Sequence, residues 1–447
     1  MGRGPIAALA VLSLALAMQA DAAPLPDRLT GHGGPIMSIA VSEDGTSALT
    51  ASFDYSAIFW RLDGADDDSV AQRLIGHNGA VNDIAFIGPH AVSTGDDAAL
   101  IVWNLEDGSL VDRLDSEPVK VFALAVAPDE STIATARWDG SVRLYAFDGT
   151  SIRETARLEG HSGPVNAVAF GPDGQSLFSA GGDGTIRMWD IGTAQDGRIV
   201  HEHGWGLSAL AVLDADRIAF GAVDGTAAIL TTADGTMVPL GQRSRPVRTI
   251  AVNADLGTIA VGDITGAIAV YDEVGRELSA RRVADGPIWD LAFVPGTQQI
   301  LHVGLDDFVS RWQIAPREMG RPSPEGARRF QVAEDANLHP GEIEFRRKCS
   351  VCHTLTPDGA HRAGPTLYKL FGRRVGSLPG YPYSDALLGA DVVWTEETLS
   401  QLFADGPDHM LPGTKMPLQR LRSTERLAAL VEYLKQNTGG EAGEDRE

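Results

Sequence analysis

Between Leu29 and Ile314 short apolar runs alternate with turn-forming clusters, and they do so with a period. The clearest unit reads Gly160-His161-Ser162-Gly163-Pro164, Val165-Asn166-Ala167-Val168-Ala169-Phe170, Pro172-Asp173-Gly174, Leu177-Phe178-Ser179-Ala180, Gly182-Asp183-Gly184 and Ile186-Arg187-Met188-Trp189-Asp190. Short runs that partly alternate and are partly continuously apolar predict strands buried between neighbouring sheets. The Pro-Asp-Gly and Gly-Asp-Gly clusters predict hairpin turns, because these residues accept the backbone angles a tight reversal needs. The units close on Trp60, Trp103, Tyr145, Trp189, Leu230, Tyr271 and Trp312, at steps of 41 to 44 residues. A four-strand unit cannot cover its own apolar faces, so the copies must stack. The last copy ends at Trp312-Gln313-Ile314, one strand short. The segment from Pro26 to Leu29 is expected to supply that strand and close the ring, which removes the exposed edge.

Gly-His early and Trp late in each period make these units resemble WD repeats. Seven of them imply an all-β seven-bladed propeller over residues 24–314. His32, His77 and His161, with Asp54, Asp97, Asp139, Asp183 and Asp224, admit a metal reading. Their recurrence once per unit favours a structural one, since buried polar groups need partners. The resemblance implies that each His and Asp share a hydrogen-bond network tied to the late Trp. Later units lose the His, with Leu207, Arg245 and Asp285 in the corresponding regions. His201 and His203 form an H-x-H with no third ligand in view and are read as loop residues.

The pattern stops at residue 315. Residues 315–337 hold Pro316, Pro322, Pro324, Gly320 and Gly326 among mixed charges, which predicts a linker. Beyond it lies Cys349-Ser350-Val351-Cys352-His353, a C-x-x-C-H sequence. Two thiols so spaced can form thioethers to the vinyl groups of a c-type haem, and the His that follows can ligate its iron. A zinc half-site or a thiol redox pair are the alternatives. Zinc needs further Cys or His at ligand spacing, and the chain has two cysteines in all. Pro412-Gly413-Thr414-Lys415-Met416-Pro417 then presents a thioether on a tight loop, as a second axial ligand requires; an ordinary turn with a core Met is the other reading.

From Leu338 to Asn437 the chain resembles a class I cytochrome c of the mitochondrial-like bacterial group. The likeness is carried by Gly364-Pro365-Thr366-Leu367-Tyr368, Leu370-Phe371-Gly372-Arg373-Arg374-Val375-Gly376, Gly380-Tyr381-Pro382-Tyr383-Ser384-Asp385-Ala386, Val393-Trp394, Pro412 to Met416 and Leu430 to Lys435. It implies an all-α domain with one covalent haem c on Cys349 and Cys352. His353 and Met416 would be the iron ligands, and the Pro365 carbonyl would accept the other ring N–H of His353. Arg373, Tyr383 and Trp394 would lie at the haem propionates, and Thr414 in the pocket beside Met416. Gly341 and Phe345 would pack on Leu430 and Tyr433. Phe403 and Leu387 depart from polar residues of that family, and Asp408 and His409 thin its ring of lysines.

The formal net charge of −23 argues against nucleic-acid binding, which needs a basic face. Arg3, the apolar run from Ile6 to Met18 and Ala20-Asp21-Ala22 read as a signal peptide over residues 1–23, cleaved near Ala22/Ala23. That implies a periplasmic protein with no membrane span after cleavage. Residues 438–447 form an acidic tail, expected to be disordered. The function implied is one-electron transfer, with the propeller docking a redox partner protein at its face or at the haem edge. A redox enzyme with a second cofactor in the propeller, or a haem-based sensor, are the other classes.

Overall fold

The computed structural model describes residues 28–62, 70–193, 197–314, 338–357 and 362–439, apart from 382, 413, 415, 417, 418 and 422. The signal, linker and acidic-tail readings therefore lie outside the described residues, except for 438 and 439 of the tail.

The strands form seven four-stranded antiparallel sheets. In blade 1 they are Ile36–Val41, Ser47–Ser52, Ser56–Arg61 and Val70–Ile75, paired in chain order. Blades 2 to 6 repeat this over 81–115, 121–158, 165–202, 207–242 and 247–282. Blade 7 takes three strands from 288–313 and its fourth from Arg28–Thr30, which pairs antiparallel to Phe308–Gln313 with Leu29 opposite Val309. The closing strand thus comes from the start of the repeat region, one or two residues beyond where the sequence placed it. The first strand of every blade packs on the first strands of both neighbours, so these seven are innermost and the ring is closed.

Each innermost strand carries a register shift after its first residue, at Ile36/Ser38, Val81/Asp83, Val121/Ala123, Val165/Ala167, Leu207/Ala209, Val247/Thr249 and Ile288/Asp290. A bulge re-aims the extra side chain, here toward the next blade. Asn82 Nδ2 donates to the Val121 carbonyl at 2.8 Å, Asn166 Nδ2 to that of Leu207 at 2.7 Å, and Ser208 Oγ to that of Val247 at 2.6 Å. Nothing in the sequence reading anticipated these blade-to-blade ties.

The late aromatic residues are buried, and their polar atoms are partnered. Trp60 Nε1 donates to Thr50 Oγ1, Trp103 Nε1 to Ser93 Oγ and Trp189 Nε1 to Ser179 Oγ, each at 2.8 Å. The same hydroxyls meet His32, His77 and His161, whose Nδ1 atoms reach Asp54, Asp97 and Asp183. These histidines are structural. Among the described residues no cluster of His, Cys, Asp or Glu is placed to hold a metal ion. Two readings are corrected here: His201 lies in the strand Arg198–Glu202 rather than in a loop, and blade 5 keeps a His, since His203 on the link to its inner strand has Nε2 3.1 Å from Asp224. Phe220 replaces the hydroxyl residue there and packs on both His201 and His203. In blade 6 Arg243, rather than Arg245, faces the acid, 3.8 Å from Asp263.

The C-terminal region is built differently. Helices α1 (Pro340–Lys348), α2 (Asp385–Leu388), α3 (Glu396–Asp405), α4 (Pro407–Met410) and α5 (Thr424–Asn437) are joined by irregular chain and one isolated bridge, Arg374 to Val393. Ser423 and a Thr395–Thr398 capping box start α5 and α3, so their first N–H groups are satisfied. α1 crosses α5 at Gly341, where a Cβ would overlap the Ala429 carbonyl and stand 2.6 Å from Tyr433 Cβ. Phe345, Leu430, Val431 and Leu434 bury the contact in one apolar core with Leu399, Leu402 and Phe403. No described helix is long and apolar enough to cross a membrane.

Candidate functional site

The helices and the chain between them leave a cavity of about 1120 Å³, measured to its open mouth. Its wall is largely apolar and includes Leu367, Leu370, Val375, Leu399, Leu402 and Phe403. Cys349, Cys352, His353, Pro365, Arg373, Tyr383, Trp394, Thr414 and Met416 all line it. Residues 67 positions apart in the chain thus converge on one space.

The Cys349–His353 loop is set by the end of α1. Cys349 N and Ser350 N donate to the Phe345 carbonyl, and His353 N donates to the Cys349 carbonyl at 2.8 Å. The helix-like turn holds both sulfurs and the imidazole against the cavity. Both thiols are unbridged. Burial pushes the Cys349 thiol up to about 12 and the Cys352 thiol up to about 11. Both stay protonated at neutral pH, unlike the thiolates of a disulfide-exchange pair.

His353 Nδ1 donates to the Pro365 carbonyl at 2.7 Å. That bond fixes the ring and leaves Nε2 without a partner among the described residues. Burial lowers the His353 pKa, so the ring is neutral. The approach is close: a Cβ on Gly364 would overlap the His353 ring, with its Nδ1 2.7 Å away. Glycine there is what lets the Pro365 loop lie flat on the imidazole.

Arg373 is held by backbone rather than by a carboxylate. Its guanidinium donates to the Tyr368 carbonyl at 3.0 Å and the Thr366 carbonyl at 2.7 Å. Tyr381 and Tyr383 stack edge to face at 4.7 Å, and the Tyr381 hydroxyl donates to the Ala363 carbonyl. Elsewhere in the wall, Met416 N donates to Thr414 Oγ1 at 3.2 Å. Gln419 gives Nε2 to the Lys348 carbonyl at 2.8 Å, while its buried Oε1 has no partner among the described residues. Gln419 and Leu411 line the cavity but belong to no motif in the sequence; Tyr381, also in the wall, lies in the Gly380–Ala386 stretch but carries no role in that reading. One more wall residue, Tyr55, comes from the propeller.

The first part of the chain is a seven-bladed propeller of WD repeats. The profile of the WD domain, G-beta repeat, matches residues 25–61, 108–146 and 152–190. Each match begins near a fourth strand and ends on the third strand of the following blade, so the repeat is out of phase with the blades. That offset is why the first repeat opens with the strand that closes blade 7. The chain belongs to the cytochrome c family. It is 39% identical over 109 residues to cytochrome c of Sesamum indicum, which covers 24% of this chain and 97% of that protein. Cytochrome c of Ginkgo biloba is 38% identical over 112 residues, covering 25% of this chain and 98% of that protein. For Chlamydomonas reinhardtii the identity is 40% over 109 residues, covering 24% and 96%.

Proposed function

We propose that this chain is a c-type cytochrome that transfers single electrons, with its C-terminal region a class I, all-α domain over residues 338–437. The observation that carries the reading is the convergence of Cys349, Cys352, His353 and Met416 on one apolar cavity. The residues present fit a haem. Two protonated thiols stand in the wall, and a neutral imidazole is fixed through Pro365 with Nε2 left over. In this reading Cys349 and Cys352 hold the group covalently, and His353 and Met416 are its iron ligands. A haem bound there supplies an iron centre that changes oxidation state by one electron. The chain's own part is to orient the imidazole through Pro365, to hold Arg373, Tyr383 and Trp394 on the wall, and to keep water out with Leu399, Leu402 and Phe403. Two protein ligands leave no coordination position for substrate, which suits electron exchange.

The same proposal places the protein in a bacterial periplasm, on the leader-like sequence of residues 1–23. It assigns the propeller to docking a redox partner protein. Support comes from two exposed aromatic residues, Trp138, edge to face with Phe122 at 5.6 Å, and Trp205; both are 59% exposed or more. Tryptophan is enriched where interfaces concentrate their binding energy.

The test is an optical spectrum of the protein matured with c-type haem, oxidised and reduced, with and without carbon monoxide. Sharp low-spin reduced bands, a sulfur-to-iron band in the oxidised form and indifference to carbon monoxide are expected. Ready carbon monoxide binding, or bands of a second chromophore, would overturn the carrier reading.

A further inference from the structure

The two parts of the chain meet at the mouth of the cavity, and the propeller contributes one side chain to it. In a blade of four antiparallel strands, the turn between the second and third strands and the link to the next blade emerge at the same end. Tyr55 lies in that turn of blade 1, and Gly34 lies on the link that enters blade 1. A Cβ on Gly34 would stand 3.7 Å from the Val351 carbonyl, so the middle of the Cys349–His353 loop sits against the propeller. Tyr55 lines the cavity together with Cys352, His353 and Tyr381.

The backbone of Tyr55 adds an independent sign. Its φ is 69°, in the left-handed region. The matching turn residues of blades 3 to 6 are Gly140, Gly184, Gly225 and Gly266, at φ of 83°, 80°, 91° and 88°, and that of blade 2 is Ala98 at 60°. Glycine occupies this region freely, and a bulky side chain does not. A ring kept at an unfavourable backbone position points to a use for the ring. Within the propeller it has little: its hydroxyl makes no hydrogen bond among the described residues. Its place in the cavity wall is a contact with the other part of the chain.

We propose that the Tyr55 turn is the seat of the cytochrome region on the propeller, and that the Tyr55 ring is a positioning residue that shields the cavity mouth from water. The shielding rests on the haem reading above, whereas the seating does not. With the ring in place, small solutes reach the covalently held edge of the haem only past the propeller. Removing it wets that edge. Water favours the more highly charged oxidised centre, so the potential falls.

The experiment uses the full haem-loaded chain with Tyr55→Gly and Tyr55→Phe, and ascorbate as the small reductant. Glycine suits φ of 69°, which offsets part of the packing lost with the ring, and the haem spectrum and melting temperature of each variant are recorded alongside so that only folded, haem-loaded protein is compared. Tyr55→Gly is expected to be reduced several-fold faster and to show a lower midpoint potential, while Tyr55→Phe stays near the parent in both. Parent-like rate and potential in Tyr55→Gly would overturn the shielding. The seating has its own readout. A benzophenone amino acid in place of Tyr55, irradiated in the chain as purified, is expected to crosslink to the peptides holding Val351–His353 or Tyr381. Crosslinks confined to the propeller would overturn it, whether or not the spectrum shows haem.

Discussion

At the scale of single residues, the propeller is held by polar atoms that have no substitute for one another. Thr50 Oγ1 meets both His32 Nε2 at 2.7 Å and Trp60 Nε1 at 2.8 Å, while His32 Nδ1 and Gly33 N converge on Asp54. All are buried. Burial alone would push Asp54 up, but the His32 ring and the bonds from Ser56 and Gly33 hold it well below the ordinary carboxylate range. Thr50→Val keeps the shape and strands two buried groups, at about 1–3 kcal/mol each. We expect a loss of that order in urea unfolding followed by tryptophan fluorescence. The His203–Asp224 pair is partly exposed, at 14% and 27%. His203→Ala should therefore cost about 1 kcal/mol or less; a loss equal to that of Thr50→Val would contradict this ranking. The tetrad was legible in the sequence because His, Asp and Trp recur at one spacing. The blade 5 pair was not, because Phe220 and Leu230 replace the polar and aromatic members, although His203 precedes its inner strand by the same interval as His32, His77 and His161. At the cavity the motifs announced the two cysteines, His353 and Met416. For the proposed ligand set, Met416→Ala should keep the covalent haem, lose the sulfur-to-iron band and admit carbon monoxide, checked by the same spectra.

At the scale of elements, closure depends on three residues. Arg28, Leu29 and Thr30 pair with Ser310, Val309 and Phe308, and the Arg28 guanidinium lies 4.4 Å over the Phe308 ring. Leu29 is 3% exposed and packs with Ile36, Trp60 and Val309, so its side chain joins blade 7 to blade 1. Leu29→Ala should cost about 2–5 kcal/mol, the range for a buried Leu. Because the lost contact lies at the ring seam, hydrogen exchange should rise first in residues 288–313. Uniform acceleration across all blades would argue against a seam. Strand period and closing strand were both legible, since they follow from hydrophobic pattern and from one strand being missing. The bulges were not: an extra residue in an inner strand leaves the apolar pattern intact, and Asn82, Asn166 and Ser208 read as ordinary polar alternation. The α1–α5 crossing was legible only through the family resemblance that singled out Gly341. Gly341→Ala forces the helices apart and should cost about 1–3 kcal/mol, the penalty for overpacking, measured by denaturation of the C-terminal region.

At the scale of the whole molecule, the ring is joined at its centre by two carboxylates from different blades. Ser38 Oγ donates to Asp83 Oδ1 at 2.7 Å and lies 3.0 Å from Asp290 Oδ2. Asp290 also accepts from Ile39 N at 2.9 Å and Thr249 Oγ1 at 3.0 Å, and Asp83 from Leu124 N at 2.8 Å. Blades 1, 2, 3, 6 and 7 are thus tied through two side chains. Desolvation among the inner strands pushes Asp83 up to about 7, with the neighbouring Asp290 adding to it, and it raises Asp290 as well. A carboxyl whose pKa is raised on folding gives stability that is fully present below its unfolded value and lost as pH rises through the folded one. For Asp83 the window runs from about 4 to about 7. Asp290 and Asp306, also raised, act in the same sense, whereas four other groups act in the opposite one: burial lowers His302 to about 4, and Asp54, Asp97 and Asp183 are lowered, so their contributions fade as pH falls. The raw stability profile mixes both. The difference between the parent and Asp83→Asn isolates one group, because the amide cannot titrate. That difference should decline between pH 4 and 7, at no more than about 1.4 kcal/mol per pH unit for one proton, and be flat above 7. A difference that rises with pH would mean that Asp83 enters the folded ring already ionised, and that the tie at Ser38 is between charged rather than neutral groups.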